Sequence, residues 1–408
     1  MEKDPFIEGG VCAAKGFKAG GVHCGVRKNA SKPDLAMIYS EVPCAAAAVY
    51  TKNLVKGAPL LATKENLKDG RAQAVICNSG NANTCNADGV QKALKMCSLT
   101  ADALGLRPQD VVVASTGVIG QELPMKPIAA AIPGLAASLN TKGSEDAARA
   151  IMTTDTVVKN LAVSCVLGGK EIHIGGIAKG SGMIHPNMGT MLCFLTTDAA
   201  VSAKALGAAL RHAVDESFNM VSIDGDTSTN DMCVILANGL ADGSEISEPS
   251  GTDFETFTAA LTQLCVKLAR TLAKDGEGAS RLLVCQVTGA KGRENARTAA
   301  KGIISSTLLK AAMFGADANW GRVLCALGYC GAETDVTKAG VSFASKAGGI
   351  TVCQNGAGIP FSEEEAKKIL SEDEITIDVS LADGDASATA FGCDLTYDYV
   401  KINGDYRT

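Results

Sequence analysis

The feature that most constrains this chain is a series of short apolar runs, each stopped by glycine, asparagine, proline or another small polar residue. Residues 72–77 and 111–114 are continuous apolar segments of strand length, which read as buried strands. Each ends in a small polar group, Asn78-Ser79-Gly80-Asn81 and Ser115-Thr116-Gly117, expected to form loops. Loops at strand ends are where α/β folds place ligands. Aromatic residues are only 4% of the chain although hydrophobic ones are 46%. The core must therefore be built mainly from Ala, Val, Ile, Leu and Met, through many small contacts.

The remaining pattern is also mixed. Residues 145–152 have helical periodicity and stop at Thr153-Thr154-Asp155. Residues 161–178 read as a hairpin turning on Gly168-Gly169. A strand is expected at 191–195, then helices at 202–217 and 254–273. From about residue 284 the texture becomes that of a smaller α/β module, opened by a strand at 282–287 with helical stretches over 293–313. A strand at 349–354 closed by Asn355-Gly356 follows. Next come a helix started by the capping box Ser362-x-x-Glu365 and strands at 374–381 and 385–392. The 408 residues suffice for two or three domains, with no repeat or low-complexity linker.

Several function classes are disfavoured. The net charge of −6, without a long Lys/Arg run, gives no footprint for nucleic acid. No apolar stretch nears the roughly 18 residues of a spanning helix. The polar opening Met1-Glu2-Lys3-Asp4-Pro5 does not resemble a secretory signal, so a cytoplasmic protein is expected. The 15 cysteines are odd in number, scattered and without a C-x-x-C pair, and several lie in apolar runs (Cys165, Cys193, Cys285, Cys353). They read as small buried hydrophobes. With four histidines and no H-E-x-x-H, no metal site is expected. Gly20 to Gly25 has Walker-like glycine spacing but lacks the Lys-Ser/Thr that binds phosphate. The carboxylate-rich 224–231 segment reads as a hydrogen-bonded loop rather than a cation site. His185, just before Pro186, reads as a backbone support or an exposed side chain rather than a base.

Gly189-Thr190 is where sequence and chemistry meet. A threonine hydroxyl is a poor nucleophile without an adjacent base. If the threonine becomes an N-terminus, its own α-amine, with a pKa of about 7.7–8.0, supplies that base. An internal threonine reaches this state by attacking the preceding carbonyl, forming an ester that water opens. Gly189 leaves that carbonyl open to attack and tolerates a strained backbone. Gly180, Gly182 and Pro186 supply a loop able to hold the bend. Gly-Thr dipeptides are common, so spacing alone favours a plain loop before a strand.

The longer string Lys179-Gly-Ser-Gly-Met-Ile-His-Pro-Asn-Met-Gly-Thr190 resembles the self-cleavage motif of the ornithine acetyltransferase (glutamate N-acetyltransferase) family. Further matching blocks are Asn78 to Asn83, Ser115 to Gly117, Asp224 to Asp231, Asp317 to Arg322 and Thr396 to Thr408. They lie in the same order along nearly the whole chain. The family most often has alanine before the threonine, where this chain has Gly189; both are small.

The resemblance implies cleavage before Thr190 into an α chain of residues 1–189 and a β chain of residues 190–408, paired as α2β2. Within the β chain, 190–283 would complete a catalytic domain, and 284–408 would be a C-terminal module whose tail returns to the active site. The implied fold is a layered α/β/α type, related in architecture to N-terminal-nucleophile hydrolases. Thr190 would carry the acetyl ester, with Thr116 and Gly117 as the oxyanion hole. Thr153, Lys179, Thr190, Glu277, Asn403 and Thr408 would contact substrate. Lys179 suits a carboxylate, and Glu277 the ammonium of ornithine. The implied reaction moves acetyl from N2-acetylornithine to glutamate by a ping-pong route, with acetyl-CoA a further candidate donor and no dissociable cofactor. Two rivals stay open on the residues: an aminopeptidase or amidase with the same nucleophile, and an uncleaved protein that binds ornithine or glutamate.

Overall fold

Alternation of side chains along three strands sets the architecture of the first part of the chain. In Leu35–Tyr50, Arg71–Asn81 and Val111–Val118, neighbouring residues enter opposite cores. Leu35, Met37, Ala74, Ile76, Val111 and Val113 enter one, closed by Ala93 and Met96 of the Gly89–Leu104 helix and Ile128 and Ile132 of Met125–Ser138. Ala36, Ile38, Val75, Cys77, Val112 and Ala114 enter the other, closed by Ala147 and Ile151 of the Ser144–Ile151 helix. Small side chains allow these close layers, as the shortage of aromatics requires.

The computed structural model describes residues 4–185 and 191–405. Its first unit takes in residues 4–180, 191–219 and 227–268. Among the described residues it holds a nine-stranded mixed sheet. The order is Phe6–Ile7, Lys159–Leu167, Lys170–Lys179, Leu192–Thr197, Met232–Ala237, Leu35–Tyr50, Arg71–Asn81 and Val111–Val118, with Phe17–Val22 also paired to Leu35–Tyr50. The Ala203–Glu216 helix packs on Leu35–Tyr50 and Met232–Ala237, and its N-cap Ser202 accepts the Ala205 N–H.

The second unit takes in residues 181–185, 220–226 and 269–405. Its seven-stranded sheet runs Ala357–Gly358, Gly348–Gln354, Gly340–Ser345, Glu374–Ser380, Leu282–Ala290, Ala386–Cys393 and Val221–Ser222. Leu283, Cys285, Val287, Ile375, Ile377 and Val379 pack against Ala296, Ala299, Ala300 and Ile303 of the Arg293–Ser305 helix.

The layered α/β class is the one expected, with two local corrections. Asn78 to Asn81 and Ser115 to Gly117 are not loops but the ends of paired strands, because parallel pairing continues through Asn78↔Ser115, Ser79↔Thr116 and Gly80↔Gly117. The helical stretches expected over 293–313 are present as two helices, Arg293–Ser305 and Thr307–Phe314. They break at Ser306, whose side chain accepts the Leu309 N–H. Cys193, Cys285 and Cys353 are buried as expected, whereas Cys165 is only half-buried. Its neighbour Val166 is exposed, so that end of the hairpin faces solvent.

Candidate active site

The paired strand ends form a rigid platform in the first unit. Gly117 has φ of +130°, and a Cβ there would lie 2.3 Å from the Gly80 carbonyl carbon and 2.5 Å from the Asn81 nitrogen. Only glycine fits such a position. The Ser115 hydroxyl donates to Asn78 Oδ1 at 2.6 Å, and Asn78 Nδ2 donates to the Asn81 carbonyl at 2.9 Å. Asn230 Nδ2 donates to the carbonyls of Ala82, at 2.6 Å, and Ser115, at 3.0 Å. Its Oδ1 accepts from the hydroxyls of Thr84 and Thr229. The carbonyls of Asn81, Ala82 and Ser115 are thus held by buried amide side chains. Arg27 crosses the open side of Gly80 and donates from Nη2 to the Met152 carbonyl.

Lys179 ends its strand buried, and its Nζ donates to Thr116 Oγ1 at 3.4 Å. Burial lowers its affinity for the proton, Asp155 acts against that shift, and Lys159 adds to it. Asp155 lies at the hub of this region. Its Oδ1 accepts from Lys159 Nζ at 2.7 Å and from the Gly180 N–H at 2.6 Å, and its Oδ2 accepts from the Thr153 N–H at 3.0 Å. The side chains of Asp155 and Lys159 are both fully buried. Burial works to raise the Asp155 pKa, but the charges of Lys179 and Lys159 and the Gly180 N–H outweigh it and hold it at about 2. Asp231, near the start of the Met232–Ala237 strand, is buried too. Desolvation pushes its pKa well above the usual range, and its Oδ2 has no hydrogen-bond partner among the described residues.

In the second unit Glu277 and Asn403, 126 positions apart, meet directly. Asn403 Nδ2 donates to Glu277 Oε2 at 2.8 Å. Asn403 lies on the Tyr397–Asp405 helix, which is fastened by the Thr396 hydroxyl donating to the Gly278 carbonyl at 2.6 Å. The Glu277 amide donates to the Ser181 carbonyl at 2.8 Å. A Cβ on Gly182 would fall 2.4 Å from the Glu277 carboxyl carbon, so the missing side chain makes room for that carboxylate. Asp224 Oδ2 accepts from the Met183 N–H at 2.6 Å and from the Tyr399 hydroxyl, and its Oδ1 from the Ile184 N–H at 2.9 Å.

Of the residues singled out in the sequence, Thr116, Gly117, Thr153 and Lys179 come together in the first unit, and Glu277 and Asn403 in the second. Gly189, Thr190 and Thr408 lie outside the described residues. Asp224 is a hydrogen-bond acceptor for backbone, and no group of three or more His, Cys, Asp or Glu is placed to hold a metal among the described residues. His185 Nδ1 lies 3.0 Å from the Ser222 hydroxyl. Burial, with the positive charges of Lys301 and Lys310 around it, lowers its pKa to about 4. Asp155 and Lys159 went unassigned in the sequence, and Asn230 and Asp231 were read only as part of a hydrogen-bonded loop. The one local signal was an Asp and a Lys four apart, just past a helix end.

The first unit thus carries buried donors at a glycine-bearing strand end. The family model described as the ArgJ family matches residues 18–408. The chain is 50% identical over 405 residues to the arginine biosynthesis bifunctional protein ArgJ of Symbiobacterium thermophilum, spanning 99% of this chain and 100% of that protein. It is 47% identical over 404 residues to the protein of the same name from Bacillus subtilis, with 98% and 97% covered. A crystallised arginine biosynthesis bifunctional protein argJ chain from Bacillus halodurans is 43% identical with a TM-score of 0.50. That match covers 52% of this chain and 98% of the crystallised one. The chain belongs to the ArgJ family.

Proposed function

We propose that this protein is a self-processing acetyltransferase of arginine biosynthesis, moving acetyl from N2-acetylornithine to glutamate through an ester on Thr190. The observation that carries the reading is the buried Lys179–Thr116 contact beside Gly117, a set of donors fixed before substrate binds. The relatives' place in arginine biosynthesis, carried by their names over the whole length of the chain, gives the pathway.

In this mechanism the Thr190 hydroxyl first attacks the Gly189 carbonyl carbon. The peptide C–N bond breaks, which frees the α-amine of Thr190 and leaves an ester; water then opens the ester, releasing the Gly189 carboxylate and restoring the Thr190 hydroxyl. That amine then takes the hydroxyl proton as Thr190 attacks the acetyl carbonyl of N2-acetylornithine. The proton passes to the leaving nitrogen, ornithine departs, and the acetyl remains on Thr190. The glutamate amine attacks the ester, giving N-acetylglutamate and restoring the hydroxyl. Thr116 and the Gly117 N–H donate to the oxyanion, each such donor being worth roughly 3 kcal/mol. Lys179 meets a substrate carboxylate and Glu277 the ornithine ammonium. Thr153, Asn403 and Thr408 complete the contacts.

The matched Bacillus halodurans chain is about half as long as this one, the length a processed chain would have. The same reading holds cleaved chains of residues 1–189 and 190–408 assembled as α2β2 in the cytoplasm, and a second donor, acetyl-CoA, fitting the relatives' name of bifunctional protein. Among the described residues no helix is long and apolar enough to cross a membrane. Ornithine release from N2-acetylornithine, measured with and without glutamate, tests the reading. Acceleration by glutamate with matching N-acetylglutamate is expected. Release at a glutamate-independent rate would make the protein a hydrolase.

A further inference from the structure

We propose that Asp155, locked by Lys159, is the positioning residue of this site: its single carboxylate ties the Thr153 turn to the Lys179 strand end and so aims the Lys179 ammonium at the Thr116 hydroxyl. The inference rests on the acetyltransfer reading above and assigns work to two residues outside its substrate and oxyanion contacts.

The geometry is specific. Asp155 Oδ2 takes the amide of Thr153 and Oδ1 the amide of Gly180, the residue next to Lys179. Two amides 27 positions apart are thereby fixed to one buried group. The third donor, Lys159 Nζ, also donates to the Val157 carbonyl at 3.2 Å, so the lysine is anchored at both ends of its own turn. A fully buried carboxylate stays ionised here because cations and amides face it.

A directional consequence follows at Thr116. An ammonium only donates, so the contact from Lys179 Nζ occupies a lone pair of Thr116 Oγ1. The Thr116 proton must then point elsewhere, toward another acceptor, which is what an oxyanion donor requires. Lys179 also places positive charge behind that hydroxyl, where negative charge develops in the transition state. The charged or titratable groups facing Lys179 in its unit are Asp155, Lys159, Asp231 and Cys77. Asp155 favours the charged ammonium and Lys159 opposes it. Activity that needs Lys179 protonated must fall at high pH, with a limb whose position depends on this pair.

The test is the pH profile of kcat/KM for acetyl transfer by the full-length enzyme, comparing wild type, Asp155→Asn and the double variant Asp155→Asn/Lys159→Met. Asp155→Asn leaves two lysines without their shared anion. Its basic limb is expected to move at least about one pH unit lower, with kcat/KM reduced about tenfold or more at neutral pH. The double variant removes opposite charges together. Its limb should return toward wild type while kcat/KM stays reduced, because the two amides still lack their carboxylate. A basic limb unmoved in Asp155→Asn would overturn the proposal, whatever the loss of rate. If Asp155→Asn does not fold, the double variant decides. A loss of about tenfold or more at an unchanged melting temperature supports the positioning role, and kcat/KM within about twofold of wild type overturns it. A wild type that releases no ornithine refutes the acetyltransfer reading itself, before any variant is compared.

Discussion

At the scale of single residues, two glycines carry different burdens and separate stability from binding. Gly117 combines a φ of +130° with backbone atoms 2.3 Å from where a Cβ would stand. Neither the left-handed backbone nor the neighbouring strand can relax cheaply. Gly117→Ala is therefore expected to cost about 1–3 kcal/mol, read as a melting temperature lower by several degrees; an unchanged melting temperature would contradict that. Gly182 is different, since what its Cβ would meet is the flexible end of the Glu277 side chain. Gly182→Ala should leave the melting temperature within about 1–2 °C while displacing the carboxylate from Asn403. The KM for N2-acetylornithine is expected to rise about tenfold, with kcat much less changed, and an unchanged KM would remove Glu277 from the substrate contacts. The sequence pointed to Thr116, Gly117 and Lys179 through their motifs. It was silent on Asp155, because a lone aspartate after a helix looks like any turn residue until its three donors are seen. Its value comes from long-range contacts, such as the one to Gly180.

At the scale of elements, what was legible followed from uninterrupted periodicity. The Lys159–Leu167 and Lys170–Lys179 hairpin turns where Gly168-Gly169 indicated, and Ser362 caps the Glu363–Leu370 helix by accepting the Glu365 N–H. The 16-residue Leu35–Tyr50 strand was missed because Ser40, Glu41 and Pro43 interrupt its apolar run, where the pairing also shifts register between Tyr39 and Cys44. Asn78 to Asn81 were read as a loop because small polar residues usually end strands, yet here the Asn78 side chain bonds to Ser115 and Asn81 within the sheet, and the Asn81 side chain reaches the Gln121 carbonyl beyond it. At Ser306, removing the cap hydroxyl by Ser306→Ala should cost about 1 kcal/mol in urea unfolding; no loss would mean that the cap is idle. The Asp155–Lys159 link makes a pH prediction. Its folded pKa of about 2 lies below the ordinary 3.8. The stabilisation, on the order of 2 kcal/mol, is therefore fully present above about pH 4 and lost as pH falls through about 2. Melting temperatures across that window should fall less steeply in Asp155→Asn/Lys159→Met than in wild type, and identical slopes would contradict the assignment.

At the scale of the whole molecule, membership of the ArgJ family spans residues 18–408 and the layered α/β units match the fold expected for it. What the sequence carried furthest was the order of motifs along the chain. What it carried least was which side chains are buried together, since burial of charge depends on both sheets and their helices closing. The central claim, that Thr190 becomes an N-terminus, is tested most directly by the intact mass of freshly purified protein under denaturing conditions. The account predicts two polypeptides of about 19 and about 22 kDa from the 41.7 kDa chain, the larger beginning at Thr190, and one uncleaved species for Thr190→Ala. A single 41.7 kDa species in wild type would contradict it.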